Sequence, residues 1–334
     1  MSQQYWGALF HLGYNFWFDE DSCIHKDNPD AALAMASPRL RFEKPVWDEL
    51  TTRLAAGGGN MLVIDLGEGV QYESHPEIAA EGAWTVDELR AELARLRALG
   101  ITPIPKLNFS LTHNKWLGPY KRMATSDIYN KVCVDLIHEV CDIFDTPPMF
   151  HLGMDEEEAP NQINMQFAVY RQFDLWWSDL YRLFDACNYK GVRPALWADY
   201  GYNHLDEYLK RMSKDAVQFT WYYGNFWGNV SGNFIGLDKP KYNYKDTTCA
   251  AYTKYLKAMR ELDKAGFDQI PTTCIKYVED GVHNISEYSR QVLSPDHVLG
   301  FMQTIWRPTM QDQSELLNKA VDSVIQAKAA QEAR

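Results

Sequence analysis

Met149-Phe150-His151-Leu152-Gly153-Met154-Asp155-Glu156 runs a short apolar stretch into two adjacent carboxylates. A brief apolar run that ends in charge is the pattern of a buried strand in a parallel sheet where it exits into a site. Neighbouring residues at a strand end point in different directions, so one carboxyl group can hold a substrate while the next transfers a proton to it. That division of labour suits cleavage of a glycosidic bond. The plainer reading is a solvated acidic loop or the first turn of a helix, because Asp155-Glu156-Glu157-Glu158 suits a helix N-terminus, which favours negative charge.

On either side of this segment, short apolar runs alternate with longer helical patterns, the signature of a parallel sheet with crossover helices. Strands are expected at residues 8–12, 61–66, 101–107, 149–152, 195–198, 217–221, 272–277 and 299–305. Eight such units predict an α/β fold, a closed (β/α)8 TIM barrel. A length of 334 residues fits one such barrel domain over positions 1–334. The clearest helix follows the second strand. Thr85 and Glu88 form a capping box, Val86, Leu89, Leu93 and Leu96 share a face, and Gly100 stops it. Further helices are expected at 126–144, 166–188, 248–265 and 313–330, and the Gly-, Asn- and aromatic-rich stretch 224–247 reads as a cover over the site.

Composition narrows the function. The 46% apolar content excludes a disordered chain, and no apolar run reaches the roughly 18 residues of a membrane span. With 45 acidic against 33 basic side chains the net charge is −12, which repels phosphate backbones and anionic lipid surfaces, so neither nucleic acid nor a membrane is an expected partner. Cysteines 23, 133, 141, 187, 249 and 274 contain no C-x-x-C pair and read as reduced and buried. The start, Met1-Ser2-Gln3-Gln4-Tyr5-Trp6, carries no basic and apolar export signal, which gives a cytoplasmic expectation for the chain as written. Eleven Trp, 19 Tyr and 15 Phe supply many flat rings, which grip the apolar faces of sugars and also fill cores.

In a barrel of this type, chemistry sits where strands exit into loops. The polar and aromatic residues at those exits are His11, Tyr14 and Asn15; Asp65 and Glu68; Asn108 and His113; Asp155 and Glu156; Trp197, Asp199 and Tyr200; Trp221 and Tyr222; Tyr277 and Glu279; Gln303 and Trp306. A carbohydrate is the expected partner of such a pocket, with no cofactor. Each residue also has a plainer role. His11 and His151 sit in or beside apolar strands and suit a buried core. Trp197 and Trp221 suit barrel packing. Asp65 and Glu68 could cap the following segment or bind sugar hydroxyls from a glycine-loosened loop. A metal is not expected at Asp155 to Glu158, since no Asp-x-Asp pattern or paired histidines accompany it.

The segment Phe150-His151-Leu152-Gly153-Met154-Asp155-Glu156 resembles the His-x-Gly-Gly-Asp-Glu signature of glycoside hydrolase family 20, the β-N-acetylhexosaminidases. Upstream, Gly100-Ile101-Thr102-Pro103-Ile104-Pro105-Lys106-Leu107-Asn108 followed by His113 resembles that family's third-strand segment. Downstream, Leu299-Gly300-Phe301-Met302-Gln303-Thr304-Ile305-Trp306 resembles its final strand. The resemblance spans about positions 5 to 310. It implies substrate-assisted retaining hydrolysis, in which Glu156 protonates the leaving oxygen while Asp155 orients the substrate's own 2-acetamido group as nucleophile. It further implies that Trp197, Trp221 and Trp306 wall the terminal-sugar pocket and that Tyr277 hydrogen-bonds the acetamido oxygen.

The departures are specific. The first strand, Phe10-His11-Leu12-Gly13-Tyr14-Asn15, lacks the family's hydroxyl-binding Arg. Met154 replaces the second Gly of the signature, and Arg307-Pro308 replaces the acidic residue after the last Trp. The additional N-terminal domain common in exo-acting members is expected to be missing. These changes point to a divergent relative, with Arg307 or Lys106 available to read a charged substituent. Two alternatives stay open. One is a two-carboxylate retaining glycosidase with Glu156 as acid and Glu279 as nucleophile, which needs carboxyl groups roughly 5 Å apart. The other is a non-catalytic sugar-binding protein on a hydrolase barrel.

Overall fold

The computed structural model describes residues 4–19, 31–162, 171–224 and 247–333. Eight parallel strands form the centre: β1 (Tyr5–His11), β2 (Met61–Asp65), β3 (Thr102–Lys106), β4 (Met149–His151), β5 (Arg193–Trp197), β6 (Val217–Phe219), β7 (Thr272–Cys274) and β8 (Gly300–Thr304). Each pairs with its sequence neighbour, and β1 also pairs with β8 through Tyr5↔Gly300 to Ala8↔Gln303. The β6 to β7 seam closes through single bridges, Gln218↔Gln269 and Trp221↔Thr272, and through Thr272 N donating to the Thr220 carbonyl at 2.9 Å. The result is the expected (β/α)8 barrel.

The two-residue period of the strands sorts their side chains. In β1 and β2, Leu9, Met61 and Val63 point inward and pack with Ile104, Met149, Ala195, Val217, Phe219 and Met302 inside the barrel. The alternate residues Ala8, Phe10, Leu62 and Ile64 join the larger core between strands and helices. Both faces are thus buried, which explains the near-continuous apolar runs.

The expected strands are all present, with ends shifted by up to three residues where the loop departs earlier or later than the apolar run. The helix Val86–Ala98 has the capping box at Thr85 and Glu88, worth about 1 kcal/mol, and buries Leu89, Leu93 and Leu96. The helices Asp127–Ile143, Thr247–Lys264 and Ser314–Glu332 lie within a few residues of expectation. The helix expected at 166–188 begins only at Asp174, because Phe173 has φ 55°, ψ −137°, outside helical geometry. Its positions before residue 171 lie outside the described residues, as does nearly all of the expected cover at 224–247. Lys44–Ala56 and Gly281–Val292 are further helices that the apolar spacing did not single out. Cys133, Cys141, Cys187 and Cys274 are buried free thiols, and burial pushes Cys133 up to about 12. No described helix is long and apolar enough to cross a membrane.

Candidate active site

The chain leaves β4 through an unusual turn. Gly153 has φ 74°, Met154 69° and Glu156 54°. A Cβ at position 153 would lie 2.0 Å from the Asn108 side-chain oxygen, so glycine alone allows the β3 exit to pack here. Left-handed backbone at Met154 and Glu156 costs on the order of 1–3 kcal/mol per residue and persists only where the surroundings fix it. The turn aims Asp155 and Glu156 into one cleft. Asp155 to Glu158 are not helical, and the first helical turn after them is Ala159–Gln162. The acidic run divides instead. Glu157 turns inward, where it accepts hydrogen bonds from Leu111 N at 3.2 Å and Arg171 Nε at 3.2 Å. Glu158 pairs with His204 Nε2 at 2.8 Å.

One imidazole bridges the two cleft carboxylates. His113 Nε2 lies 3.2 Å from Asp155 Oδ2 and 3.3 Å from Glu156 Oε2. Asn108 Nδ2 donates to Asp155 Oδ1 at 2.9 Å, and Thr112 Oγ1 donates to the Asp155 carbonyl at 3.2 Å. Burial opposes charge on Asp155, yet the His113 cation and hydrogen bond, helped by Lys106 and Asn108, outweigh it and hold the carboxyl at about 2. Burial likewise opposes charge on His113, but Asp155 and Glu156 together push it up to about 10. A cation therefore sits between the two acids at neutral pH. Asp199 behaves oppositely. Burial, with the Asp155 and Glu156 charges added, pushes it well above the carboxylate range. It backs the site by accepting from Glu156 N at 3.3 Å and from the Trp221 indole.

The cleft holds about 250 Å³ and is walled by rings, among them Trp197, Trp221, Tyr277 and Trp306. These are held by one another. Tyr223 stacks on Tyr277 at 5.5 Å and 10°, accepts from Trp306 Nε1 at 3.2 Å, and lies 4.7 Å from the Trp221 ring. Tyr14 Oη donates to the Trp306 carbonyl at 2.8 Å. Trp17, Tyr223 and Lys276 also line the cleft and were missed by the strand-exit rule. Trp17 and Tyr223 lie two or more residues beyond the first exit position, and only their aromatic neighbours hinted at them.

Of the other expected residues, Asn108, His113, Asp155 and Glu156 reach the cleft, whereas His11, Asn15, Asp65, Glu68, Tyr222 and Glu279 do not line it. Asp65 and Lys106 form a fully buried ion pair beneath it, and burial pushes Asp65 up to about 6 against the opposing Lys106 charge. Lys106 therefore cannot read a substrate substituent, while Arg307 does line the cleft. His11 Nδ1 lies 3.6 Å from Asp65, and burial, Lys106 and Arg41 keep this ring neutral. Glu68 accepts from Tyr14 N at 2.7 Å and Asn15 N at 3.1 Å, which makes it the cap of that turn. The Asn15 side chain is occupied by Ser37 N and O, each at 2.8 Å, and by Arg41. His151 is a core histidine, 4.5 Å from the Trp197 ring. Glu279 is exposed. Among the described residues no three His, Cys, Asp or Glu side chains form a group able to hold a metal.

No known family pattern matches the sequence, and no curated protein does. Solved structures do match in fold. A β-N-acetylhexosaminidase from Bacteroides fragilis aligns over 96% of this chain and 65% of its own, at 12% identity and a TM-score of 0.61. A GH20 exo-β-N-acetylglucosaminidase from Vibrio harveyi aligns over 97% and 56%, at 12% identity and 0.56. Dispersin B aligns over 97% and 99%, at 14% identity and 0.55. This chain thus spans less than two thirds of the first two and nearly all of the third. The chain carries the barrel fold of the glycoside hydrolase family 20 β-N-acetylhexosaminidases, the family its 150–156 segment resembles.

Proposed function

We propose that this protein is a glycoside hydrolase acting on a 2-acetamido sugar by substrate-assisted retaining hydrolysis. The observation that carries this reading is the Asp155, Glu156 and His113 cluster, two carboxylates facing one ring-walled cleft with a shared imidazole between them. An Asp155 held low in pKa is an acceptor at neutral pH, suited to take the acetamido N–H and turn its carbonyl oxygen toward the anomeric carbon. Glu156, more open to solvent than its neighbour, is placed to protonate the departing oxygen and later to activate water. The rings of Trp197, Trp221 and Trp306 supply apolar faces for the sugar. The solved β-N-acetylhexosaminidases with this fold support a sugar of that class as the substrate.

The two-carboxylate alternative loses its nucleophile, because Glu279 is exposed and lines neither this cleft nor its neighbour. The retention of Glu156 beside Asp155 argues against a sugar-binding protein without turnover, which needs no general acid. Release of nitrophenol from aryl glycosides tests the reading, with wild type and Glu156→Gln compared on 2-acetamido and 2-hydroxy sugars. We expect activity on 2-acetamido sugars only, lowered at least about 10²-fold in the variant. Equal activity in both proteins removes Glu156 as the acid.

A further inference from the structure

Two cations that the proposed reaction does not use line the active-site cleft, Lys276 from the β7 exit and Arg307 from the β8 exit. Among the lining residues the carboxylates Asp155 and Glu156 meet three basic side chains, His113, Lys276 and Arg307. His113 is already shared between the two acids, at 3.2 and 3.3 Å. The other two give the cleft a positive side within a chain of net charge −12. A neutral 2-acetamido sugar needs no such charge, because neutral donors and acceptors serve its hydroxyls. We propose that Lys276 and Arg307 read an anionic ester, sulfate or phosphate, carried by the 2-acetamido sugar itself on the side of its ring opposite the acetamido group. This rests on the assignment of Asp155 to the acetamido group.

The barrel sets the place of that ester. Its strands follow one another in sequence order, so the β7 and β8 exits lie across the mouth from those of β3 and β4, which carry His113 and Asp155. In a pyranose ring carbon 5 stands opposite carbon 2. With the acetamido group at Asp155, carbon 5 and the exocyclic carbon 6 it bears turn toward Lys276 and Arg307, which makes the 6-oxygen the site of the ester. The two cations are placed for it. Arg307 Nη1 donates to the Trp306 carbonyl at 3.0 Å, and Tyr14 Oη donates to the same oxygen at 2.8 Å, so two donors fix the turn in which Trp306 has φ 50°. A guanidinium offers its N–H groups as a planar fork that matches two oxygens of a sulfate or phosphate. Lys276 Nζ lies 5.9 Å from the Tyr277 ring and adds a point charge beside that wall. Both charges act on Cys274, the last residue of β7, whose thiol burial pushes up to about 11 against their opposing effect, so they stand on one side of the mouth. Like charges along one wall of a cleft focus its field on an anion. The acidic residue expected after the last Trp would repel an ester there, and Arg307 in its place reverses that preference.

The test is calorimetric titration of N-acetylglucosamine, its 6-sulfate and its 6-phosphate into Glu156→Gln protein at low and at high salt. We expect at least one ester to bind about tenfold more tightly than the neutral sugar, the scale of one charge-assisted contact, with an advantage that shrinks at high salt. The tighter of the two esters identifies the substituent. Arg307→Gln and, separately, Lys276→Gln should each lower the ester-to-neutral affinity ratio by about fivefold or more, and Arg307→Lys should keep part of it. Lys276 is exposed, so its substitution removes a charge without touching the turn that Arg307 anchors. Equal affinity for all three sugars, a ratio that neither variant changes, or no binding of any of them overturns the proposal. Wild-type protein is assayed in parallel for hydrolysis of the nitrophenyl 2-acetamido glycoside and of its 6-esters. Preferential binding of an ester without hydrolysis of any glycoside would sustain the anion site and reject the proposed catalysis. Hydrolysis with no preference for an ester in binding would do the reverse.

Discussion

Replacing His113 with Leu removes the imidazole placed between Asp155 and Glu156. The imidazole lies 3.2 Å from Asp155, with side-chain exposures of 7% and 9%. At an effective dielectric of about 20 the direct attraction is about 5 kcal/mol, and loss of one partner of a buried pair typically costs about 3–5 kcal/mol. For 334 residues the unfolding entropy is about 0.7 kcal/mol per degree, so the melting temperature should fall by roughly 4–7 °C. The pH dependence gives a sharper check. The Asp155 contribution, with its pKa held low, is present above 3.8 and lost as pH falls towards 2. The His113 contribution, with its pKa raised, is present below 6.5 and lost as pH rises towards 10. The difference in melting temperature between wild type and His113→Leu should therefore be greatest between about pH 4 and 6.5 and shrink on both sides. Adding Asp155→Asn to His113→Leu should restore part of the loss, because the stranded charge is gone. Losses that simply add, or a difference that does not change with pH, would refute the pairing.

Substitutions at Arg171 and Glu279 have defined outcomes. Arg171 is buried, donates to Glu157 and to the Phe109 carbonyl at 3.0 Å, and ties the β4 exit to the β3 exit. Arg171→Met should lower stability by about 3–5 kcal/mol in urea unfolding, and Arg171→Lys should recover only part, since the fork to Glu157 is lost. Glu279→Gln should leave kcat/KM for any cleaved aryl glycoside within about twofold, because Glu279 lines neither cleft. A loss near that of Glu156→Gln would reinstate the two-carboxylate mechanism.

The barrel was legible because its strands are buried on both faces and so read as apolar runs between amphipathic helices. The strand-exit rule then found Asn108, His113, Asp155, Glu156, Trp197, Trp221, Tyr277 and Trp306. It also gathered His11, Asp65 and Glu68, which occupy the same exits but are buried beneath the cleft. The rule gives height along the barrel and not the direction of the side chain. A sequence likewise cannot tell Asp155 and Glu156, which face the cleft, from Glu157 and Glu158, which pair with Arg171 and His204. That split depends on left-handed backbone at Met154 and Glu156, non-glycine residues for which sequence carries no signal. Arg171 was missed because it looked like part of a helix that in fact begins at Asp174.

In the proposed mechanism Asp155 serves the substrate's acetamido group while Glu156 serves the leaving oxygen. The most direct test is the ratio of kcat/KM for a 2-acetamido against a 2-hydroxy nitrophenyl glycoside, measured for wild type and Asp155→Ala. The wild-type ratio should lie far above one and fall at least about 10²-fold in the variant. Equal proportional losses on both sugars would contradict it.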